Sequence, residues 1–327
     1  IARVDMLGQI RVGPLSAGSE PGPAAYGLGG TRPTVTDANL ILGRLSADSF
    51  GAPGIDLVTE AARAALADQV ATPLEMDVET AAVGVTEVVD ENMANAARVH
   101  AVENGKDVSR FTMIAFGGGA PLHAGRLCEK LRVDELLVPP GAGVGSAIGF
   151  LRAPFAYEAL RSHYAAMDSF DHAAANLILD ELADEASSFV RSALGGTEDP
   201  IPLLEVERCA FMRYAGQGWE IPVRFDTEHF DHLGGELLAN RFEKAYEEFF
   251  GRAIDGLGIE AIGWSVRVAT PRPTVDRIDR VKPRRDVVGD RNRGIYDTVS
   301  GAVVDAAVLD RATLAVGDRV IGPAVIV

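Results

Sequence analysis

The chain has 327 residues, 47% of them hydrophobic, which suffices for a sizeable core, argues against disorder and fits two domains better than one. A net charge of −16, with 47 acidic against 31 basic residues, argues against nucleic-acid binding, which needs clustered Lys and Arg. No apolar run reaches the roughly 18 residues of a membrane helix, no signal peptide is visible, and Cys128 and Cys209 are too few for a disulfide framework, so a cytoplasmic protein with both thiols reduced in its core is expected.

Residues 1–55 are punctuated by Val12-Gly-Pro14, Pro21-Gly-Pro23 and Gly27-Leu-Gly-Gly30 and are expected to form a long shaped loop. It resolves into a short helix N-capped by Thr36 or Asp37 and carrying Leu40, Ile41 and Leu45 on one side. Helices are expected over 56–70 and 78–103; in the second, Ala82, Val85, Val89, Met93 and Ala96 recur at three- and four-residue steps and predict its buried face.

The stretch from Phe111 to Leu131 is the most informative. An apolar run ending in Phe116 breaks into Gly117, Gly118 and Gly119, and an amphipathic helix seated on Leu122, Leu127 and Leu131 follows. Three residues without a Cβ let the chain turn sharply and let a flat or anionic group approach bare main-chain N–H groups. The pattern recurs where Leu136-Leu-Val138 runs into Pro139-Pro-Gly-Ala-Gly-Val-Gly-Ser146. Two strand, glycine-turn, helix units in series suggest a nucleotide pocket. Pro139-Pro140 and the Ser146 standing where a third glycine belongs speak against the dinucleotide fingerprint.

A domain boundary is expected near 155. Beyond it a helix is expected over 172–194, paired strands over 204–214 and 220–225, a helix over 234–250 and a strand over 260–268. An exposed linker follows over 272–293, then short strands with a turn at Ala315-Val-Gly317.

Among chemical candidates, Asp5 and Asp37 lie in glycine-rich surroundings where a metal-nucleotide or a catalytic water can approach, although Asp beside Gly more often caps a turn. His123, on the first turn of the helix after the glycines, is placed to touch a phosphate or to cap its own helix. His229 and His232 have metal-like spacing but no third ligand, so no metal site is assigned. Neither a nucleophile elbow nor a Walker loop is present.

Taken together, the segments resemble the hydantoinase A/5-oxoprolinase family, the ATP-dependent lactam hydrolases that also include ATP-binding subunits of acetone and acetophenone carboxylases. The likeness rests on Val4-Asp5, on Arg11-Val-Gly-Pro-Leu-Ser-Ala-Gly18 through Tyr26-Gly27, and on Pro33-Thr-Val-Thr-Asp-Ala-Asn39. It continues in Asn92-Met-Ala94, Phe116-Gly-Gly-Gly-Ala-Pro-Leu-His-Ala124, Ser146-Ala-Ile-Gly149, Arg213-Tyr-Ala-Gly-Gln217 and Gly322-Pro-Ala324. Gly119-Ala120 departs from it, since many relatives place alanine first and glycine second.

The resemblance implies an α/β fold: part of an ATPase lobe like those of actin, sugar kinases and heat-shock chaperones over 1–155, then a smaller α+β C-terminal domain over 156–327. It implies ATP and Mg²⁺ as cofactors. Gly117, Gly118 and Gly119 would contact the nucleotide with His123 and Ser146 nearby, and Asp5 and Asp37 would be the catalytic acids near phosphate or metal. ATP would activate a ring carbonyl by phosphorylation, so that water opens a hydantoin, 5-oxoproline or lactam. The implied partners are a hydantoinase B/oxoprolinase-type subunit, an N-terminal ATPase lobe that this stretch of sequence lacks, and the cyclic amide substrate. Two alternatives stand beside this one: the ATP-using subunit of an acetone- or acetophenone-type carboxylase, and a non-catalytic fragment that binds nucleotide or partner.

Overall fold

The computed structural model describes residues 1–47, 54–195, 203–272, 281–298 and 300–327. The chain divides into two compact units, Ile1–Ile148 with Arg277–Val327, and Gly149–Asp276.

The first unit opens with an antiparallel hairpin of β1 (Ala2–Val4) and β2 (Ile10–Val12), Ala2 facing Val12. The sequence reading expected a shaped loop here, ahead of a short helix, because strands of three residues are too short to show alternation. Helix α1 (Val35–Ile41) is N-capped by Thr34 rather than by Thr36 or Asp37. The Thr34 side chain accepts the Asp37 N–H while the Asp37 carboxylate accepts the Thr34 N–H, a reciprocal capping box that fixes the start of the helix three residues ahead of the acid. Helix α2 (Thr59–Leu66) unwinds through a π turn at Ala67–Ala71 and a 3-10 turn at Thr72–Leu74, where Pro73 has no N–H to continue the ladder.

Helix α3 (Val78–Glu103) has the expected bounds, capped by Asp77, whose carboxylate accepts the Thr80 N–H at 2.7 Å. Its buried face is Ala81, Ala82, Val85, Thr86, Asp90 and Ala94, while Met93 and Ala96 are exposed. Two polar residues inside the stripe disguised its phase. Strand β3 (Met113–Ile114), helix α4 (Ala120–Leu131), strand β4 (Leu136–Leu137) and helix α5 (Gly145–Arg152) form the two expected units, with β3 and β4 parallel. Ala38, Leu42, Leu66, Val70, Ala82 and Val85 form the main core, and Ala94, Cys128, Leu131 and Val133 seat α4 on α3.

The second unit is a four-stranded antiparallel sheet with two helices on one face. Its elements are β5 (Ala156–Ala166), α6 (His172–Ala193), β6 (Glu205–Tyr214), β7 (Ile221–Phe225), α7 (Gly234–Phe250) and β8 (Ile259–Ala269), with sheet order β5-β8-β6-β7. Leu179, Leu182 and Val190 of α6 and Leu238 and Phe242 of α7 pack on Met212, Tyr214 and Trp264. Strand β5 was not expected, since its alternation is blurred by alanines and polar residues along 156–166. Cys209 is half-buried and, like Cys128, a free thiol.

Strands β9 (Arg285–Val287), β10 (Arg291–Asp297), β11 (Ala302–Leu309), β12 (Asp318–Val320) and β13 (Ala324–Ile326) complete the first unit. The expectation of one domain over 156–327 is corrected here. Tyr296 N–H donates to the Leu42 carbonyl at 3.0 Å and Arg311 Nη2 to the Val138 carbonyl at 2.7 Å, which stitches the tail onto residues of the first unit. Gly43 lies so close to the backbone of Gly294 that there is no room for a Cβ. The expected linker over 272–293 falls partly outside the described residues, and its described end already contains β9 and the start of β10.

No described helix is long and apolar enough to cross a membrane.

Candidate functional site

The glycine turn sits between β3 and α4. Gly117 has φ +106°, which only glycine adopts easily, and its N–H donates to the Ala142 carbonyl of the second turn at 2.6 Å. Gly119 caps α4 without a side chain to offer, and Pro121 in the first helical turn needs no N–H partner. A Cβ built on Gly117, Gly118 or Gly119 would meet nothing within 4 Å, so the turn presents bare backbone to open space.

Beside it lies a cleft of about 330 Å³, lined by Tyr26, Thr36, Asn39, Gly118, Gly119 and His123 among others. A second cleft of about 280 Å³, lined by Val89, Met93, Met113, Ile114, Leu127 and again His123 and Gly119, is almost wholly apolar. A larger one of about 490 Å³, between the end of α1 and the tail strands, contains none of the expected site residues. The first cleft is therefore the candidate, because it joins the glycine turn to the polar face of α1.

His123 is buried between the two clefts. Its Nδ1 lies 2.7 Å from Asp90 Oδ1 and its Nε2 3.1 Å from Asn39 Nδ2, while Asn39 Oδ1 accepts from Arg44 Nη1 at 3.5 Å. The amide nitrogen can only donate, so Nε2 is the bare nitrogen and the ring proton is on Nδ1, aimed at the carboxylate. Asp90 is fully buried, and its Oδ2 has no hydrogen-bond partner among the described residues. Burial lowers the pKa of the Arg44 guanidinium, with the Asp90 and Glu87 charges opposing that shift.

Of the expected site residues, the fold brings Gly118, Gly119 and His123 to one cleft, with Gly117 in the same turn. His123 fills neither role first weighed for it: both ring nitrogens are engaged by protein groups. Asp37 does not line the cleft. It is fully buried, and its oxygens accept from Ala25 N–H at 2.7 Å, Ala24 N–H at 3.3 Å, and both the N–H and hydroxyl of Thr34 at 2.7 Å. Four donors, three on Oδ2 and one on Oδ1, satisfy it within the protein and away from the cleft. Asp5 closes the β1–β2 hairpin, accepting the N–H groups of Leu7 and Gln9 and the Arg11 guanidinium at 2.9 Å. The Gln9 N–H first, then Arg11, hold its carboxyl below the usual carboxylate range. In this structure both acids act as caps, the commoner use of Asp beside Gly. Ser146 is exposed in the first turn of α5 and lines neither cleft.

Sequence reasoning missed Tyr26, Thr36, Asn39 and Asp90 as parts of the site. The signal for Asp90 was its helical spacing with Thr86 among buried alanines and valines, a polar stripe on an apolar face. Among the described residues no group of three or more His, Cys, Asp or Glu side chains could hold a metal, and His229 instead pairs with Asp180 at 3.1 Å.

Glycine backbone, two hydroxyl-bearing side chains and an amide suit the sugar and base of a nucleotide. Among the described residues no Lys or Arg lines the cleft, so any anionic group there would meet main-chain N–H groups and neutral side chains.

Comparison with known proteins bears on this geometry. The profile of the hydantoinase/oxoprolinase family matches residues 1–159. An uncharacterised protein of Methanocaldococcus jannaschii is 32% identical over 332 residues, covering 100% of this chain and 45% of its own length. The caprolactamase subunit alpha of Pseudomonas jessenii is 29% identical, covering 100% of this chain and 47% of its own. The crystal structure of that organism's ATP-dependent caprolactamase superposes with a TM-score of 0.75 at 29% identity, over 100% of this chain and 47% of that one. Nucleotide-free acetone carboxylase superposes with a TM-score of 0.76 at 25% identity, over 99% and 47%. The chain thus spans about half the length of the relatives it matches. Its mixed helix and sheet architecture is theirs, and residues 1–159 of the chain belong to the hydantoinase/oxoprolinase family.

Proposed function

We propose that this chain forms part of an ATP-using subunit that opens a cyclic amide (a hydantoin, 5-oxoproline or a lactam), working with a hydantoinase B/oxoprolinase-type partner. The observation that carries the reading is the unobstructed glycine turn at Gly117, Gly118 and Gly119 beside a nucleoside-sized cleft, in a family whose caprolactamase relative is ATP-dependent. A ring amide is a poor electrophile with a poor leaving group, and bound ATP would supply a phosphoryl group to its carbonyl oxygen. The residues of this chain bind and orient: the glycine N–H groups and Thr36 line the nucleoside cleft, and His123 and Asn39 brace the turn from inside. Phosphoryl transfer depends on positioning and charge neutralisation, so the phosphate and Mg²⁺ ligands belong to residues beyond the cleft described here. By the same reading the first unit corresponds to part of an actin- or sugar-kinase-like ATPase lobe.

A second reading keeps the fold and changes the chemistry. The equally good superposition on acetone carboxylase favours a carboxylase role, in which a ketone with bicarbonate replaces the ring amide.

ADP release by the chain with its partner subunit, measured against 5-oxoproline, hydantoins, simple lactams and ketones plus bicarbonate, decides between them. Stimulation by one ring amide supports the hydrolase and names its substrate, and stimulation only by ketone with bicarbonate supports the carboxylase. No stimulation by any compound would move the chain to a binding-only role, in keeping with the exposed Phe116, Leu137, Phe150 and Leu151.

A further inference from the structure

Four residues from different places in the sequence form one directed chain of hydrogen bonds behind the glycine turn. Arg44, just after α1, donates to the Asn39 carbonyl oxygen; the Asn39 amide of α1 donates to His123 Nε2; His123 Nδ1–H of α4 donates to Asp90 of α3. Every donor points the same way, from a guanidinium at one end to a carboxylate at the other. Asn39, Asp90 and His123 are all buried. A buried amide or imidazole facing the wrong way would set donor against donor, so each orientation is enforced by its neighbour. Asn39 and His123 line the cleft beside Gly118 and Gly119, whereas Asp90 does not.

We infer that Asp90 is a positioning residue for the nucleotide cleft: by holding His123 as its Nδ1–H tautomer it keeps Nε2 free to accept from Asn39, and so fixes the face of α1 against the glycine turn of α4. This rests on the nucleotide reading of the cleft. Asp90 exerts its effect without touching the ligand, since His123 and Asn39 stand between. If His123 carried its proton on Nε2, that N–H would confront the Asn39 amide nitrogen, and either Asn39 would turn its amide over and set its NH2 against Arg44 or α1 would draw away from Gly118 and Gly119.

The test combines imidazole ¹⁵N NMR of the full chain with ADP titration by calorimetry, on the wild type, D90A and D90N. In the wild type the His123 spectrum is expected to show a protonated Nδ1 and a bare Nε2. D90A removes the acceptor, so the Nε2–H tautomer is expected to appear and ADP affinity to fall about tenfold, the scale of one lost buried hydrogen bond to a charged group. D90N keeps an acceptor oxygen in the same place, so it is expected to keep the tautomer and bind ADP within about threefold of the wild type. A merely structural role would not separate D90N from D90A in tautomer and affinity together. An Nε2–H tautomer in the wild type overturns the inference, and that reading survives a D90A chain that fails to fold. So does D90A binding ADP like the wild type. Absence of ADP binding by a wild type that shows the Nδ1–H tautomer removes the nucleotide reading, and the positioning role with it.

Discussion

The backbone N–H of Gly117 donates to the carbonyl of Ala142 at 2.6 Å, so the two glycine turns of the first unit are tied directly to each other. Each turn follows a strand of the parallel pair β3 and β4, and the bond continues that pairing one step beyond the strands, past Ala115 N–H on the Leu137 carbonyl at 2.9 Å. The second turn thereby buttresses the first while leaving Gly118 and Gly119 uncovered.

This separates two glycines that look alike in the sequence. Gly117→Ala places a side chain at φ +106°, and a loss of about 1–3 kcal/mol of stability is expected in urea titration. Gly118→Ala meets nothing within 4 Å, so its melting temperature is expected within about 2 °C of the wild type. Its added methyl stands where the ligand approaches, and ADP affinity is expected to fall about tenfold or more. Unchanged ADP binding by a fully folded Gly118→Ala chain would remove the turn from the site.

Asp37→Ala strips the acceptor from three backbone N–H groups and one hydroxyl in a buried setting. A loss of about 3 kcal/mol is expected from denaturant unfolding, within the range for breaking a buried polar network. Activity per folded molecule is expected to change little, because the carboxylate faces no cleft. A stable but inactive Asp37→Ala chain would return this acid to catalysis.

Glu87 on α3 takes Arg126 Nε at 2.8 Å and Lys130 Nζ at 3.0 Å from α4. The Arg126 hydrogen bond, opposed by burial and helped by Lys130, holds its carboxyl below the usual range. A depressed carboxylate stabilises the fold fully above its unfolded value of 4.5, and the contribution disappears as pH falls through the lower folded value. Glu87→Gln is therefore expected to cost about 0.5–1 kcal/mol at pH 7, the side chain being partly exposed, and nothing once the wild-type acid is protonated. Parallel stability curves for the two proteins from pH 7 to 3 would contradict this.

Burial pushes the Cys209 thiol up to about 11. About one thiol in a thousand is then ionised at pH 8, and alkylation by iodoacetamide is expected to be slower in the folded chain than in urea by two orders of magnitude or so. Equal rates in the two states would show that the outer face of the second unit's sheet is open to solvent.

Much of the architecture was legible because it is carried by long periodic segments. The bounds of α3 and α7 and of β7 followed closely from spacing, and the glycine turns announced themselves by composition. What escaped reading depends on contacts distant in sequence. The return of strands β9 to β13 to the first unit depends on hydrogen bonds such as Tyr296 N–H to the Leu42 carbonyl, which leave no local pattern, whereas the hairpin at 2–12 is local and its strands are simply too short to alternate. Of the candidate cleft, the sequence pointed to Gly118, Gly119 and His123, whose setting is a strand and helix junction. Asn39 and Asp90 were not recognised, because an Asn on a short helix and an Asp on a long one show their partnership only when α1, α3 and α4 meet around one imidazole.

The Asp37 carboxylate joins Ala24 and Ala25 to Thr34 across the whole intervening loop, and α1, which it starts, also supplies Asn39 to the cleft. For chimera building among family members, residues 22 to 44 consequently behave as one exchangeable cassette: a crossover inside it would pair one parent's acid with the other parent's loop, whereas one placed at either end would transplant the knot intact.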